Sequence, residues 1–123
     1  MNMKKILIIE DDVFLQNLEA NKLRKDSYEI ITASSGDEAL EKIGEENIDL
    51  ILLDLILPGI DGFDVLQKIK ETESLKRVPV IVFSNLSEEK DVKRAKEMGA
   101  IDFMVKSNFS LNELAERINK FLA

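Results

Sequence analysis

The chain has 123 residues, of which 45% are hydrophobic and 33% charged, so a single folded domain with its own core is expected. A net charge of −7 opposes binding to nucleic acid, and the absence of histidine and cysteine excludes imidazole catalysis, zinc sites built from those residues, and disulfides. The longest apolar stretch is interrupted by Asp54 and is too short to cross a bilayer, and the N-terminus has no signal-peptide pattern. We therefore expect one cytoplasmic domain, residues 1–123, with no further segment appended.

Five apolar runs alternate with five helical patterns along the chain. Strands are predicted at KILIIE (5–10), YEIITA (28–33), DLILLDL (49–55), VPVIVFS (78–84) and DFMVK (102–106). Helices are predicted at 13–26, 34–46, 62–74, 87–99 and 110–123. Strands that are apolar on both faces and alternate with helices are typical of an α/β protein whose parallel sheet is covered on both sides.

Apolar residues at helical spacing predict which side of each helix packs against the sheet. The expected core faces are Phe14, Leu18 and Leu23 in the first helix, Phe63, Leu66 and Ile69 in the third, Val92, Ala95 and Met98 in the fourth, and Leu111, Leu114, Ala115, Ile118 and Leu122 in the fifth. Helix ends are expected at the N-cap Asp12, at the capping boxes Ser35–Glu38 and Ser110–Glu113, and at the terminating Gly99.

Residues with reactive or metal-binding side chains follow four of the five predicted strands. In an open parallel sheet, ligands bind beyond the carboxyl ends of the strands, so these residues are expected to meet at one edge. They are Glu10, Asp11 and Asp12 after the first strand, Asp54 after the third, Ser84 and Asn85 at the end of the fourth, and Lys106 after the fifth.

Three carboxylates at this edge would repel one another strongly. Two unit charges about 4 Å apart cost roughly 4 kcal/mol at an effective dielectric constant near 20, so three such pairs cost on the order of 10 kcal/mol. Lys106 offsets part of that repulsion, and a divalent cation between Glu10, Asp11 and Asp54 would offset more. Oxygen ligands alone favour a hard ion, Mg²⁺ or alternatively Mn²⁺, and Mg²⁺ commonly takes a substrate phosphate as a further ligand.

Asp54 is the candidate nucleophile of such a site, because an aspartate can form an acyl phosphate. Phosphoryl transfer depends mainly on in-line positioning and on stabilisation of the transferring oxygens. The Lys106 ammonium and the Ser84 hydroxyl are the side chains expected to supply that stabilisation beside the metal.

Four segments together resemble the motifs of response-regulator receiver domains, the phosphoacceptors of two-component signalling. They are IIEDD (8–12), LLDLILPGIDG (52–62), VFSN (82–85) and FMVKS (103–107), and the resemblance runs from Lys4 to Leu122. It implies a flavodoxin-like, doubly wound (βα)5 fold with strand order 2-1-3-4-5, an order that also occurs in other proteins of this fold.

The resemblance also implies a role for each matching residue. Asp54 matches the phosphorylated aspartate, Asp11 the direct magnesium ligand and Glu10 its neighbour that acts through water. The backbone carbonyl of Ile56 matches the remaining protein ligand of the metal. The other matches are Lys106, which pairs with the phosphoryl group, Ser84, whose hydroxyl turns toward it on activation, and Phe103, the aromatic switch.

Three positions depart from the pattern of that family. Ser107 follows Lys106 where a proline in a cis peptide is usual, so the turn is expected to be trans or more mobile. Asn85 stands where alanine or glycine is preferred, and its amide would either crowd Asp54 or donate to the phosphoryl group. Phe103 has no hydroxyl, so a switch at this position would act through packing alone.

The resemblance predicts a stand-alone receiver, not an enzyme, that takes its phosphoryl group from the phosphohistidine of a partner kinase or phosphotransfer protein. Its output would pass through protein contacts of the fourth helix, fifth strand and fifth helix. The protein would be a monomer or a weak phosphorylation-dependent homodimer, and it would bind neither nucleic acid nor membrane directly. Two alternatives remain open. One is a degenerate receiver that binds its partner without phosphorylation, and the other is a magnesium-dependent phosphohydrolase, against which the apolar Ile56 counts.

Overall fold

A computed structural model describes residues 3–44 and 47–122 of the chain. Strands and helices alternate through it, as the apolar runs predicted. The strands are β1 (Lys5–Ile9), β2 (Glu29–Ala33), β3 (Leu50–Leu53), β4 (Val80–Ser84) and β5 (Asp102–Val105). The helices are α1 (Val13–Lys25), α2 (Gly36–Lys42), α3 (Gly62–Glu71), α4 (Glu89–Glu97) and α5 (Leu111–Leu122), and a short 3-10 turn, Lys106–Asn108, follows β5.

The five strands form one parallel sheet in the order β2-β1-β3-β4-β5, which confirms the predicted fold. One face of the sheet packs against α2, α3 and α4 around Leu53, Leu66 and Val82. The opposite face packs against α1 and α5 around Ile8, Leu23 and Ile118. Because both faces of the sheet are covered, β1, β3 and β4 are almost completely buried, as their unbroken apolar sequences predicted.

Most helix caps lie where the sequence placed them. The Asp12 carboxylate accepts a hydrogen bond from the amide of Leu15, and Ser110 and Glu113 form both bonds of a capping box. The Ser35 hydroxyl accepts from the amide of Glu38, but the Glu38 carboxylate reaches the amide of Ser34 instead of that of Ser35. Gly99, with φ +107°, ends the turn after α4 in a conformation that suits glycine.

The predicted core face of α1 is wrong. Phe14 is 74% exposed and Leu18 41% exposed, so of the three predicted residues only Leu23 is buried. The buried side of α1 is rotated toward Gln16, Glu19 and Ala20. In contrast, Phe63, Leu66 and Ile69 of α3 are buried, as are the central residues of the α5 stripe.

The remaining differences concern the ends of elements. Predicted boundaries differ from the observed ones by one to three residues in most cases, the usual uncertainty at helix and strand ends. Helix α2 ends at Lys42, earlier than predicted, and residues 45 and 46 of the predicted helix lie outside the described residues. Within the described part of the chain, every helix is too short or too polar to cross a bilayer.

Candidate functional site

Backbone hydrogen bonds carry the sheet one residue beyond the ends of its strands and so fix the main chain of the site. The amide of Glu10 donates to the carbonyl of Ala33 over 3.0 Å, and that of Asp54 donates to the carbonyl of Ile9 over 3.0 Å. Glu10 and Asp54 are therefore held side by side on adjacent strands. The carboxyl edge of the sheet gathers the acidic residues as the sequence predicted.

The acidic residues of this edge form one cluster. Glu10, Asp11 and Asp54 each offer a carboxylate oxygen, and these three oxygens lie within 4.8 Å of one another. The side chains of Glu10 and Asp54 are buried, whereas Asp11 is exposed at the rim. Three carboxylate oxygens with no nitrogen or sulfur ligand match the preference of a hard divalent ion such as Mg²⁺, so the residues present fit that ion.

Lys106 lies between two of the buried carboxylates. Its ammonium donates to Asp54 Oδ2 over 2.6 Å and to Glu10 Oε1. Burial lowers the pKa of Lys106, but the bonds to Asp54 and Glu10 outweigh burial and leave that pKa above its ordinary value. Burial also raises the pKa of the Glu10 carboxyl, and the hydrogen bonds from Lys106 and from the amide of Asp12 offset only part of that rise.

The second oxygen of Asp54 receives two different donors. The Ser84 hydroxyl donates to Asp54 Oδ1 over 2.7 Å, and the amide of Ile56 donates to the same oxygen over 2.9 Å. Ser84 is completely buried, and its hydroxyl oxygen also accepts from the amide of Leu86 over 3.3 Å. Asp54 is therefore oriented by Lys106 on one oxygen and by Ser84 and the β3–α3 loop on the other.

The other predicted positions lie around this centre. Ile56 is 53% exposed on the loop that follows Asp54. Phe103 is half-buried on β5 and packs against the core on the α2–α3–α4 side of the sheet. Asn85 is exposed. The peptide between Lys106 and Ser107 is trans, one of the two possibilities that the serine at this position left open. The effect of Asn85 on Asp54 stays a prediction.

Sequence reasoning missed two polar residues beneath the site on α1. The Gln16 amide donates to the carbonyls of Glu10 and Ala33, which ties α1 to the ends of β1 and β2. Glu19 is 1% exposed, and neither of its carboxyl oxygens has a hydrogen-bond partner within the described residues. Burial, with the nearby charge of Glu10 as the second cause, raises the pKa of Glu19 to about 8. Residues 16, 19, 20 and 23 share one side of the helix, but the polar Gln16 and Glu19 give that side no apolar signal in the sequence.

A model of a known protein family matches most of the chain. The model of the response regulator receiver domain matches residues 6–119. The chain belongs to this receiver family. Receiver domains are signalling phosphoacceptors that are generally not classed as enzymes. They bind Mg²⁺ at an acidic pocket. The response regulators that contain them partner with histidine kinases.

Curated relatives support the same assignment. This receiver is 38% identical over 121 residues to the transcriptional regulatory protein ResD of Bacillus subtilis, an alignment that covers 98% of the chain and 49% of ResD. It is 36% identical over 119 residues to the alkaline phosphatase synthesis transcriptional regulatory protein PhoP of the same organism, covering 97% of the chain and 48% of PhoP. The chain therefore spans about half the length of the curated relatives it matches.

Solved receiver structures have the same architecture. A response regulator structure from Chloroflexus aurantiacus superimposes with a TM-score of 0.90 at 29% identity, covering 98% of both chains. The receiver domain of the sensor histidine kinase PA1611 from Pseudomonas aeruginosa superimposes with a TM-score of 0.87 at 26% identity, again covering 98% of both chains. That second structure contains a magnesium ion coordinated in its active site cleft.

Proposed function

We propose that this receiver is a phosphorylation-activated switch in which Asp54 accepts a phosphoryl group from the phosphohistidine of a partner protein. The observation that carries the proposal is the environment of one carboxylate. Asp54 receives Lys106 on Oδ2 and Ser84 on Oδ1, and it shares a cluster of acidic oxygens with Glu10 and Asp11. This arrangement combines a nucleophile with donors that can follow the oxygens of a phosphoryl group.

In the proposed transfer, an oxygen of Asp54 forms a bond to phosphorus as the bond from phosphorus to the donor histidine nitrogen breaks. The imidazole leaves on the partner, because this chain has no histidine. Lys106 is already protonated and lies against Asp54, so its charge offsets that of the incoming oxygens. Later attack of water on the acyl phosphate would release inorganic phosphate and reset the switch.

Magnesium is part of the proposal. Glu10, Asp11 and Asp54, together with the backbone carbonyl of Ile56, would hold the ion, and manganese is the alternative. When bound, the ion neutralises charge on the acidic oxygens and on the phosphoryl group. The Lys106 ammonium pairs with Glu10 and Asp54. It therefore does not neutralise the third carboxylate of the cluster, that of Asp11.

Phosphorylation replaces the single negative charge of the Asp54 carboxylate with a phosphoryl group that carries about two, beside Ser84 and Lys106. In our proposal Ser84 and Lys106 follow the phosphoryl oxygens, the half-buried Phe103 repacks, and the surface of α4, β5 and α5 changes its preference for a partner. The chain acts as one receiver domain in the cytoplasm, and either a monomer or a weak phosphorylation-dependent dimer fits this role.

Intact mass spectrometry after incubation with acetyl phosphate and Mg²⁺ tests the proposal. The unmodified sequence is expected to gain one phosphoryl group, and Asp54→Asn, which keeps the shape of the side chain, is expected to gain none. A chelator should prevent the adduct. Rapid turnover of many phosphate esters would instead support a phosphohydrolase, and the absence of an adduct with any donor would support the degenerate receiver.

The exposed apolar side of α1 is the surface we assign to the phosphohistidine-bearing partner. Val13 and Phe14 are 56% and 74% exposed, and they follow Asp11 and Asp12 at the rim of the site. A partner that brings an imidazole to Asp54 must cover this rim. Burial of these apolar side chains would then contribute to the affinity for the partner.

Replacement of the most exposed of these side chains, Phe14→Ser, is expected to slow transfer from a phosphorylated histidine phosphotransfer domain about tenfold, because the contact area of one aromatic ring is lost. Labelling by acetyl phosphate should not change, since that donor needs no protein contact. Ile101→Ser is the matched control, because Ile101 is 47% exposed and lies before β5 at the opposite edge of the sheet. Equal rates for the two variants would remove α1 from the partner surface.

A further inference from the structure

Helix α4 buries fewer residues than any other helix of this receiver. Ala95 is its one buried residue, whereas each of the other four helices buries at least two. The side chain of its N-cap residue, Glu88, pairs with Lys90 and makes no capping hydrogen bond to the first turn, unlike the N-cap side chains of α1, α2 and α3. Little apolar burial and an unsupported first turn are typical of an element that opens locally at low free-energy cost.

Besides the packing of Ala95 in the core, a cation–π contact connects this helix to α3. The guanidinium of Arg94 lies over the ring of Phe63, 4.1 Å from the ring centroid. Phe63 is 5% exposed, so its ring belongs to the core and only its face is available to Arg94. Arginine over an aromatic face is a favourable cation–π geometry, and here it connects the exposed side of α4 to a buried anchor.

The Phe63 end of this contact is rigid. Phe63 follows Gly62, whose amide donates to the carbonyl of Leu55 over 3.2 Å. A Cβ atom added to Gly62 would lie 2.3 Å from the Cα atom of Leu55, so the two backbones are in direct contact. Since Leu55 is the residue after Asp54, the ring of Phe63 is fixed relative to the proposed phosphoacceptor.

The Arg94 end of the contact belongs to an element that must respond to Asp54. Ser84 donates to Asp54 and accepts from the amide of Leu86, so the β4–α4 loop begins at the site. Helix α4 starts at Glu89, five residues after Ser84. Movement of Ser84 toward a phosphoryl group would therefore pull on α4, and the contact between Arg94 and Phe63 would resist that pull.

We infer that Arg94 is a latch that holds α4 against Phe63 and opposes the phosphorylated conformation of this receiver. The effect on phosphorylation rests on the proposed function of Asp54, whereas the contact between Arg94 and Phe63 does not. The latch favours one of two conformations through a contact that the other would have to break. A cation–π contact at an exposed site changes such an equilibrium by a factor of about two to five.

Hydrogen exchange read by mass spectrometry on the unphosphorylated protein tests the latch itself. Arg94→Met keeps an unbranched side chain but removes the charge, and its α4 amides are expected to exchange about two to five times faster than those of the original sequence. Lys96→Met is the matched control, because Lys96 is an exposed cation of the same helix with no ion pair or ring contact in the described structure. Equal exchange rates in Arg94→Met and Lys96→Met would overturn the latch.

Phosphorylation by acetyl phosphate tests the regulatory part on the same variants. At a subsaturating concentration of acetyl phosphate, Arg94→Met is expected to hold about two to five times more phosphoprotein at steady state than Lys96→Met. If the α4 amides of Arg94→Met exchange faster but its steady-state amount of phosphoprotein is unchanged, the contact is purely structural and the regulatory inference is overturned. An original sequence that accepts no phosphoryl group would overturn the proposed function, and with it the regulatory role, while the exchange rates still decide whether the contact exists.

A double-mutant cycle separates the ring contact from the loss of one charge. Phe63→Leu keeps most of the buried volume and removes the aromatic face. In the double variant with Arg94→Met, the effect of Arg94→Met on α4 exchange should disappear, because its partner is already gone. Fully additive effects of the two substitutions would show that Arg94 acts without Phe63 and would overturn the latch.

Discussion

Replacement of Glu19 by leucine is expected to stabilise this receiver by about 3 kcal/mol at pH 7. Glu19 is 1% exposed, neither of its oxygens has a partner in the described residues, and burial raises its pKa to about 8. In the unfolded chain its pKa returns to about 4.5. The folded state must therefore keep a proton that the unfolded state has released, and each pH unit between these values costs about 1.4 kcal/mol.

The sign of the pH dependence follows from the same values. Below pH 4.5 the carboxyl is protonated in both states, and Glu19 makes no contribution that depends on pH. Between pH 4.5 and about 8 the free energy of unfolding falls as pH rises, because the unfolded state alone loses the proton. Above about pH 8 both states are ionised, so the penalty stops growing at roughly 5 kcal/mol.

Urea unfolding in chelator at pH 5, 6, 7 and 8 measures this effect. The difference in the free energy of unfolding between Glu19→Leu and the original sequence should widen steadily over this range. Glu19→Gln should remove the same pH slope but stabilise less, because it leaves an amide without partners in the core. Glu116→Gln, at an exposed position of α5, is the control and should leave the slope unchanged. Parallel pH profiles for Glu19→Gln and the original sequence would contradict a proton held on Glu19.

The error in α1 shows where sequence reasoning stopped. Phe14 and Leu18 are four residues apart, a spacing that predicts a core face, but hydrophobicity alone does not say which side of an amphipathic helix faces the sheet. The observed side contains Gln16 and Glu19, polar residues that the predicted apolar face did not include. Gln16 is buried because its amide satisfies backbone carbonyls of Glu10 and Ala33, a long-range requirement that no local pattern reveals.

The residues at the carboxyl edge of the sheet could be predicted because strand direction alone determines which residues lie there. Once β1, β3 and β5 are parallel, the residues after each strand must lie at the same edge, so Glu10, Asp54 and Lys106 converge whatever the details of packing. The contact between Arg94 and Phe63 could not be predicted in this way. It depends on how far α4 leans toward α3, which is set by side-chain packing and not by strand order.

Replacement of Lys106 by methionine is expected to destabilise this receiver by about 3 kcal/mol at pH 7 in the absence of divalent ions. The Lys106 ammonium binds Glu10 and Asp54, whose side chains are only 3% and 6% exposed. Its removal leaves both carboxylates buried without their cation, and methionine fills a similar length of side chain without replacing the charge. Urea unfolding in chelator measures the loss.

Added divalent ions and a lower pH should each reduce that loss of stability. Addition of Mg²⁺ should recover most of the stability, because the ion supplies positive charge to the same carboxylates, and Lys106→Met should bind Mg²⁺ roughly tenfold more tightly than the original sequence. A lower pH should also shrink the loss, because burial raises the pKa of Glu10, so this carboxyl takes up a proton more readily than an ordinary glutamate.

The same substitution tests the chemistry, because stability and phosphoryl transfer depend on Lys106 for different reasons. With Mg²⁺ present and the fold restored, Lys106→Met should still be labelled by acetyl phosphate about a hundredfold more slowly, since one preorganised donor to the phosphoryl oxygens is missing. Lys96→Met, the exposed control on α4, should change neither quantity. If Lys106→Met is as stable in chelator as the original sequence, the two buried carboxylates do not need the charge of Lys106. The charge balance argued for this site would then be wrong.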